Sequence, residues 1–441
     1  MKTNRSVRML VSLLIASTTL LAACAPAATP TAAPAATEAP AVVATEAPTE
    51  APTAAPEPVT IQYWHTHSDP ETAQLDQVIA AFETANPGIK VETTRYAYND
   101  YKTALLTAIS GGTVPDVARL DIAWVSEFAD QGALVQLDGN LPDFDTITKD
   151  TFPGPLSTNK WKDHYYGLPL DTNTQVLLWN KSVFEAAGVT TPPATMEEFA
   201  KVACTVNRSS SENRYGYAQG GTYFWASAPI FYTMGGKITD EAITTATGYV
   251  NGPESVAAFT MLKDLYDQSC LSPNLLGGGI ATDAGHAEGT YAMIMDGPWM
   301  VDIYKSNYPD FQVNFAPIPT GPQGTTSSVV GGEDVVVLEG SKNQEAAMKW
   351  AAYLLSPEAQ KMMAAVGQMP TLASLAGDPA MPPYFAVFQE QLKTAQARVP
   401  HPKWSDMDNA INNAYQRMLK GEQTPQEALD QAATEIDALL K

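Results

Sequence analysis

The stretch Val59–Gly88, VTIQYWHTHSDPETAQLDQVIAAFETANPG, decides the fold. Its first seven residues are rich in β-branched and aromatic side chains, which predicts a strand. The run ETAQLDQVIAAFETANPG then changes period and places Leu75, Val78, Ile79 and Phe82 on one face of a helix. Asn86-Pro87-Gly88 stops that helix. A second strand (KVETTRY), a helix over about 99–109 and a third strand (DVARLD) follow. This alternation predicts an α/β fold whose mostly parallel sheet carries helices on both faces.

Working outward, four later segments read as strands: TQVLLWN, YAMIMDG, VNFAPIP and EDVVVLE. Thr195 with Glu198, and Thr424 with Pro425 and Glu427, predict capping boxes that open helices. In the last helix Leu429, Ala433, Ile436 and Leu440 form the apolar stripe.

Between the first strand and helix, YWHTHSD sets His65 and His67 one residue apart, with Asp69 following. In an extended chain the three would share a face, so metal ligands, an acid/base pair or the rim of a binding site are the alternatives. Zinc asks for three or four donors, and the other histidines (His164, His286, His401) are scattered in predicted loops. The ligand count therefore argues against a metal site, and nothing in the chain asks for a cofactor.

The N-terminus reads as a targeting segment. Lys2, Arg5 and Arg8 precede the short apolar run MLVSLLIASTTLLAA, which is too short to span a bilayer. The segment ends in LAAC, similar to a bacterial lipoprotein signal, which implies cleavage after residue 23 and lipidation of Cys24. Residues 24–58 are built of Ala, Pro, Thr and Glu with no aromatic residue, the composition of an extended, solvated tether.

The chain carries a formal net charge of −22, which deepens to about −25 without its first three basic residues. That excludes a nucleic-acid surface and electrostatic attraction to an anionic membrane. Beyond Cys24 two cysteines remain, Cys204 and Cys270, and pairing or separation are both open to them. No G-x-S-x-G, H-E-x-x-H or P-loop is present; LLGGGIATDAG lacks the Lys-Ser/Thr ending that cradles phosphate. Paired carboxylates, as in a glycoside hydrolase, are unavoidable among 48 acidic residues and therefore uninformative.

Seven blocks in order resemble the family 1 extracellular solute-binding proteins, the maltose-binding-protein-like receptors of ABC importers. They are FETANPGIKVETTRY, ISGGTVPDVARLDIAWVSEFADQGALVQLD, YYGLPLDTNTQVLLWNKSVFEAAGVTTPPATMEEF, EGTYAMIMDGPWMV, APIPTGPQG, VVGGEDVVVL and YLLSPEAQKMM. The resemblance implies a two-lobed periplasmic-binding-protein-like fold, with residues 59–171 and 321–367 in lobe 1 and 172–320 and 368–441 in lobe 2. It implies a monomeric receptor without catalysis that closes on a ligand between its lobes. Its partners would be a carbohydrate, the membrane through its N-terminal lipid, and the permease subunits of an ABC transporter. Polyamines and glycerol phosphates are the alternative ligands.

A sugar offers apolar faces to aromatic rings and hydroxyls to carboxylates and amides. Ligands of open α/β sheets lie beyond the carboxyl ends of strands. Within the resemblance, Asp121 and Trp124 follow such a strand. Asn173 falls near a position that is a carboxylate in maltose-binding proteins, and Trp299, beside Asp296, matches a position that stacks on sugar. Gly332 and Glu333 begin a strand where backbone approaches ligand; Tyr223, Phe224 and Trp225 form an aromatic run. Tyr101 and Trp404 are further candidates. Trp64 and His65 end the first strand where the family's chain meets the cleft, His65 being the expected contact.

Overall fold

The computed structural model describes residues 58–209 and 214–441. The signal segment, Cys24 and the tether up to Glu57 lie outside the described residues.

Eleven strands are described: β1 (Val59–His65), β2 (Ile89–Arg95), β3 (Val117–Asp121), β4 (Lys160–Trp161), β5 (His164–Tyr165), β6 (Leu168–Pro169), β7 (Val176–Trp179), β8 (Tyr215–Ala218), β9 (Tyr291–Asp296), β10 (Asn314–Ala316) and β11 (Glu333–Val337). They build one sheet of order β2-β1-β3-β11-β6, another of order β10-β7-β9-β8, and the small ribbon β4-β5. Among the described residues sixteen α-helices cover the sheets. The two large sheets make this a two-lobed α/β fold.

The opening stretch folds as its pattern predicts. β1 buries Ile61 and Tyr63, and the helix Asp69–Ala85 buries Leu75, Val78 and Phe82 against them. The Ser68 N–H donates to the Glu71 carboxylate at 2.7 Å, fixing the first turn. β1 pairs parallel with β2 from Val59↔Ile89 to His65↔Arg95, and with β3. β3 is buried along its whole length, as expected of a central strand covered on both faces. One face packs on Tyr63, Phe82 and Trp350, the other on Tyr101, Leu105 and Phe128. In the second sheet, alternation sends Leu177 and Met293 to one core and Val176, Leu178 and Ile294 to the other.

Each large sheet has a single strand running against the rest. In the first it is β11, antiparallel to β3 and β6; in the second it is β7, antiparallel to β9 and β10. Both follow a passage of the chain from one sheet to the other, so reversal is the signature of entry. The passages lie side by side: the Asn173 N–H donates to Gly331 O at 2.9 Å and the Gly331 N–H to Asn173 O at 2.8 Å. Glycine is required here. Gly332 has φ 137°, and a Cβ on Gly331 would lie 2.2 Å from Asn173 Oδ1 and 2.3 Å from the Trp225 ring.

The passages cross where packing, more than sheet order, marks them. Val329 packs in the second sheet's core, Leu372 and Leu375 in the first's, and Met369 and Phe385 again in the second's. Cys204 and Cys270 are bonded, with Cα atoms 4.8 Å apart, and the bridge closes a 66-residue separation. The expected capping box at Thr424 forms, the Glu427 N–H donating to Thr424 Oγ1 at 3.3 Å and the Thr424 N–H to the Glu427 carboxylate at 2.9 Å. At Thr195 the Glu198 N–H donates to Oγ1 at 3.1 Å, but the Glu198 carboxylate accepts from the Ala194 N–H, one residue earlier than a capping box requires.

Candidate ligand-binding cleft

A cleft of about 840 Å³ opens between the lobes, within the range of small-molecule sites. Nine of the thirteen expected residues line it: Asp121, Trp124, Asn173, Tyr223, Trp225, Trp299, Gly332, Glu333 and Trp404. β3 and β11 supply its floor. Asp121 ends β3, Glu333 begins β11, and the two are register partners across the pair, so two carboxylates stand together at the sheet's edge.

Each carboxylate is claimed by an arginine. Arg119, deep in β3, approaches Glu333 at 2.8 Å and Asp171 at 3.2 Å and donates to Thr66 Oγ1 at 2.8 Å and Gln368 Oε1 at 3.0 Å. Burial drives the Glu333 carboxyl well above the usual range, and Arg119 only partly pulls it back. Arg398 grips Asp121 with both prongs, Nη2 to Oδ1 at 2.7 Å and Nη1 to Oδ2 at 3.3 Å. Near the mouth Lys102 donates to Glu127 at 2.6 Å, and Ser405 Oγ donates to the same carboxylate at 3.0 Å.

Aromatic rings line the opposing faces. Trp225 and Trp299 have centroids 6.5 Å apart, and the Arg398 guanidinium lies 5.4 Å over the Trp225 ring. Tyr223 stands 43% exposed at the end of this wall. On the first lobe Tyr98 stacks on Trp124 at 5.5 Å. Trp404 touches the cleft by an edge while its body is core, 5.8 Å from Phe224. Phe224 itself is wholly buried, and its N–H donates to Asp408 Oδ1 at 2.8 Å.

Four expected residues are not brought to the cleft. His65 is fully buried, its Nδ1 accepting the His67 N–H at 3.3 Å, and burial lowers the ring's pKa to about 3. The physical reason is coverage, since the helix Asp69–Ala85 and Arg119 close over the end of β1. The loop reaches the cleft slightly later, through Thr66, Ser68 and Glu71. Trp64 points the other way and packs on Tyr96 at 4.7 Å, beside Asp100 and Thr103. Tyr101 is core, its hydroxyl donating to Trp64 O at 3.0 Å. Asp296 sits behind Trp299, Oδ1 accepting the Gly297 N–H at 2.8 Å, and burial raises its pKa to about 7. His67 and Asp69 are not rim residues either: His67 is buried and Asp69 pairs on the surface with Arg95. Among the described residues no group of three or more His, Cys, Asp or Glu is placed to hold a metal ion.

Sequence reasoning missed Tyr98, Lys102, Arg119, Gln368 and Arg398. Arg119 left a signal, a lone charge in the otherwise apolar run VARL. The others sit in unremarkable polar stretches.

A cleft between two α/β lobes, with aromatic walls and a hydrogen-bonding floor, defines the class of two-lobed binding proteins. A family model described as bacterial extracellular solute-binding protein matches residues 77–386, and the chain belongs to that family. A putative binding protein of Brucella abortus is 27% identical over 380 residues, covering 83% of this chain and 90% of its own. The GacH receptor of Streptomyces glaucescens, solved unliganded and with acarbose, superposes with a TM-score of 0.79 at 25% identity, over 87% of this chain and 98% of that one. A solute-binding protein of Thermotoga lettingae bound to α-D-tagatose gives 0.78 at 28% identity, over 87% and 100%. The family is one of receptors, and its name places it outside the cytoplasm.

Proposed function

We propose that this chain is a lipid-anchored receptor that captures a sugar or oligosaccharide between its lobes and delivers it to the permease of an ABC transporter. The observation that carries the reading is the pairing of an aromatic wall (Tyr223, Trp225, Trp299) with a floor of carboxylates and arginines in one cleft. Rings suit the C–H faces of a sugar, and charged hydrogen-bonding groups suit its hydroxyls. The sugars named for the two related structures support the same class. The anchor at Cys24 is inferred from LAAC and the tether after it.

Closure on ligand needs contacts to both lobes in the closed form. On this reading the lobes divide at the expected points near residues 171, 321 and 367, and the alternation of Ala364, Leu372, Leu375 and Phe385 between cores supports a crossing in the last of these regions. Tryptophan fluorescence titration with mono- and oligosaccharides tests the reading; a folded protein silent to the whole panel removes carbohydrate. A polyamine is the second reading, because six acids line the cleft (Glu71, Asp121, Glu127, Glu333, Asp406, Asp408) against Lys102, Arg119 and Arg398. Spermidine belongs in the same titration. A glycerol phosphate is the weaker fit, since both arginines are already held by carboxylates.

A further inference from the structure

The hydrogen bonds at Asp121 exhaust what a carboxylate can accept. An ionised carboxylate offers about four lone-pair sites. Oδ1 takes the Ala123 N–H at 2.8 Å and Arg398 Nη2 at 2.7 Å; Oδ2 takes the Tyr98 hydroxyl at 2.7 Å and Arg398 Nη1 at 3.3 Å. No acceptor site is left for a sugar hydroxyl. The guanidinium is differently placed. It gives Asp121 one N–H from each Nη and keeps a second on each, while lying over Trp225.

The two residues also belong to different lobes. Asp121 ends β3 in the first sheet. Arg398 follows a segment tied to the second passage, where the Val330 N–H donates to Gln396 O at 2.9 Å and the Gln396 N–H to Ser328 O at 2.8 Å. Both side chains are 9% exposed. The pair therefore bridges the lobes, as does the Ser405 Oγ bond to Glu127.

Building on the receptor reading above, we propose that Asp121 is a positioning residue that acts on the ligand through Arg398 and Tyr98, and that the Asp121–Arg398 pair is a charged latch that holds the lobes closed. The ligand is then read by the arginine's remaining N–H groups against the Trp225 face, and the carboxylate holds that arginine in place. Closure becomes sensitive to salt even for an uncharged ligand, because the charges that meet are the protein's own.

Two readouts on the full chain test this, one of them without sugar. Small-angle scattering of wild type, R398Q and D121N gives the radius of gyration from about 20 mM to about 1 M NaCl. Both variants are expected to be more open than wild type at low salt, with wild type opening toward them as salt rises. Superimposable wild-type and R398Q profiles at every salt overturn the latch. If R398Q melts early, R398K replaces it, keeping the charge without the two-pronged grip.

The second readout is a double-mutant cycle with the tightest-binding sugar among maltose, maltotriose and tagatose. Each single change is expected to weaken affinity about tenfold, and the double variant no more than the weaker single. Additive losses would show that Asp121 touches the sugar itself, and the positioning role fails. Should wild type bind none of the sugars, the carbohydrate reading fails and the scattering alone decides the latch.

Discussion

The two lobes contribute unlike surfaces to one cleft. The first presents charges that are almost all spoken for: Arg119 with Glu333 and Asp171, Asp121 with Arg398, Glu127 with Lys102. The second presents mainly rings, Tyr223, Trp225 and Trp299, with the Arg398 guanidinium lying over Trp225. A charged network is rigid because each member fixes the next, and it is costly to disturb. A ring wall tolerates many ligands, since stacking asks only for a flat apolar face. The first lobe therefore sets geometry, and the second supplies much of the contact area.

The largest test of this contrast is Arg119→Ala. It strands Asp171 and Glu333 in the interior, and thermal or urea melts should show a loss of about 3–5 kcal/mol. A variant that unfolds like wild type would end the idea of a rigid charged floor. Next is the bridge of the second lobe. Closing 66 residues is worth about 4 kcal/mol in the chain-entropy model, so Cys204→Ser with Cys270→Ser should lower the unfolding free energy by that order in a urea melt while the first lobe keeps its packing.

Binding changes come after these. Trp225→Ala should weaken sugar affinity by about 10- to 100-fold in a calorimetric titration, from lost stacking of roughly 1.5–3 kcal/mol. The same truncation at Trp124, which is already covered by Tyr98, should cost less. Equal losses would erase the division of labour.

A smaller effect follows from Asp296. Its pKa is raised in the fold to about 7 from about 3.9 unfolded, so the folded state holds the proton more tightly. That contribution to stability is complete below about pH 4 and is lost as pH climbs through 7. Asp296→Asn should flatten the pH dependence of the melting temperature across this window. The smallest effect belongs to Trp64→Ala, which removes a ring packed on Tyr96 outside the cleft. Sugar affinity should stay within about twofold of wild type.

The elements were legible in the sequence because periodicity and caps are local. The strand VTIQYWH, the stop at Asn86-Pro87-Gly88, the cap at Thr195 and the capping box at Thr424 all rest on short local runs of residues. Asp121 and Trp299 were legible because strand-end logic and family position agreed on them, and Tyr223 and Trp225 because an aromatic run stands out in the sequence; all four line the cleft. Trp64 and His65 misled for a definite reason. Alternation tells which residues share a face, but not which face is covered, and both faces of β1 are covered. The arginines were invisible in another way: Arg119 meets residues 171, 333 and 368, and Arg398 meets 121. Such partnerships exist only once the passages have brought distant segments together.

The reversed strand β11 has a consequence for how the chain is made. It lies between β3 and β6, so until residues 333–337 have been synthesised the first sheet carries two open edges in its middle. Its core waits longer still, for Trp350 and then Leu372 and Leu375. The second lobe waits for Trp404 through Ile436. A ribosome that stalls before about residue 375 therefore releases a product in which neither half is finished, and one that stalls later but before the last helix leaves the second lobe open. Such fragments should be cleared by proteases rather than persist as a working receptor.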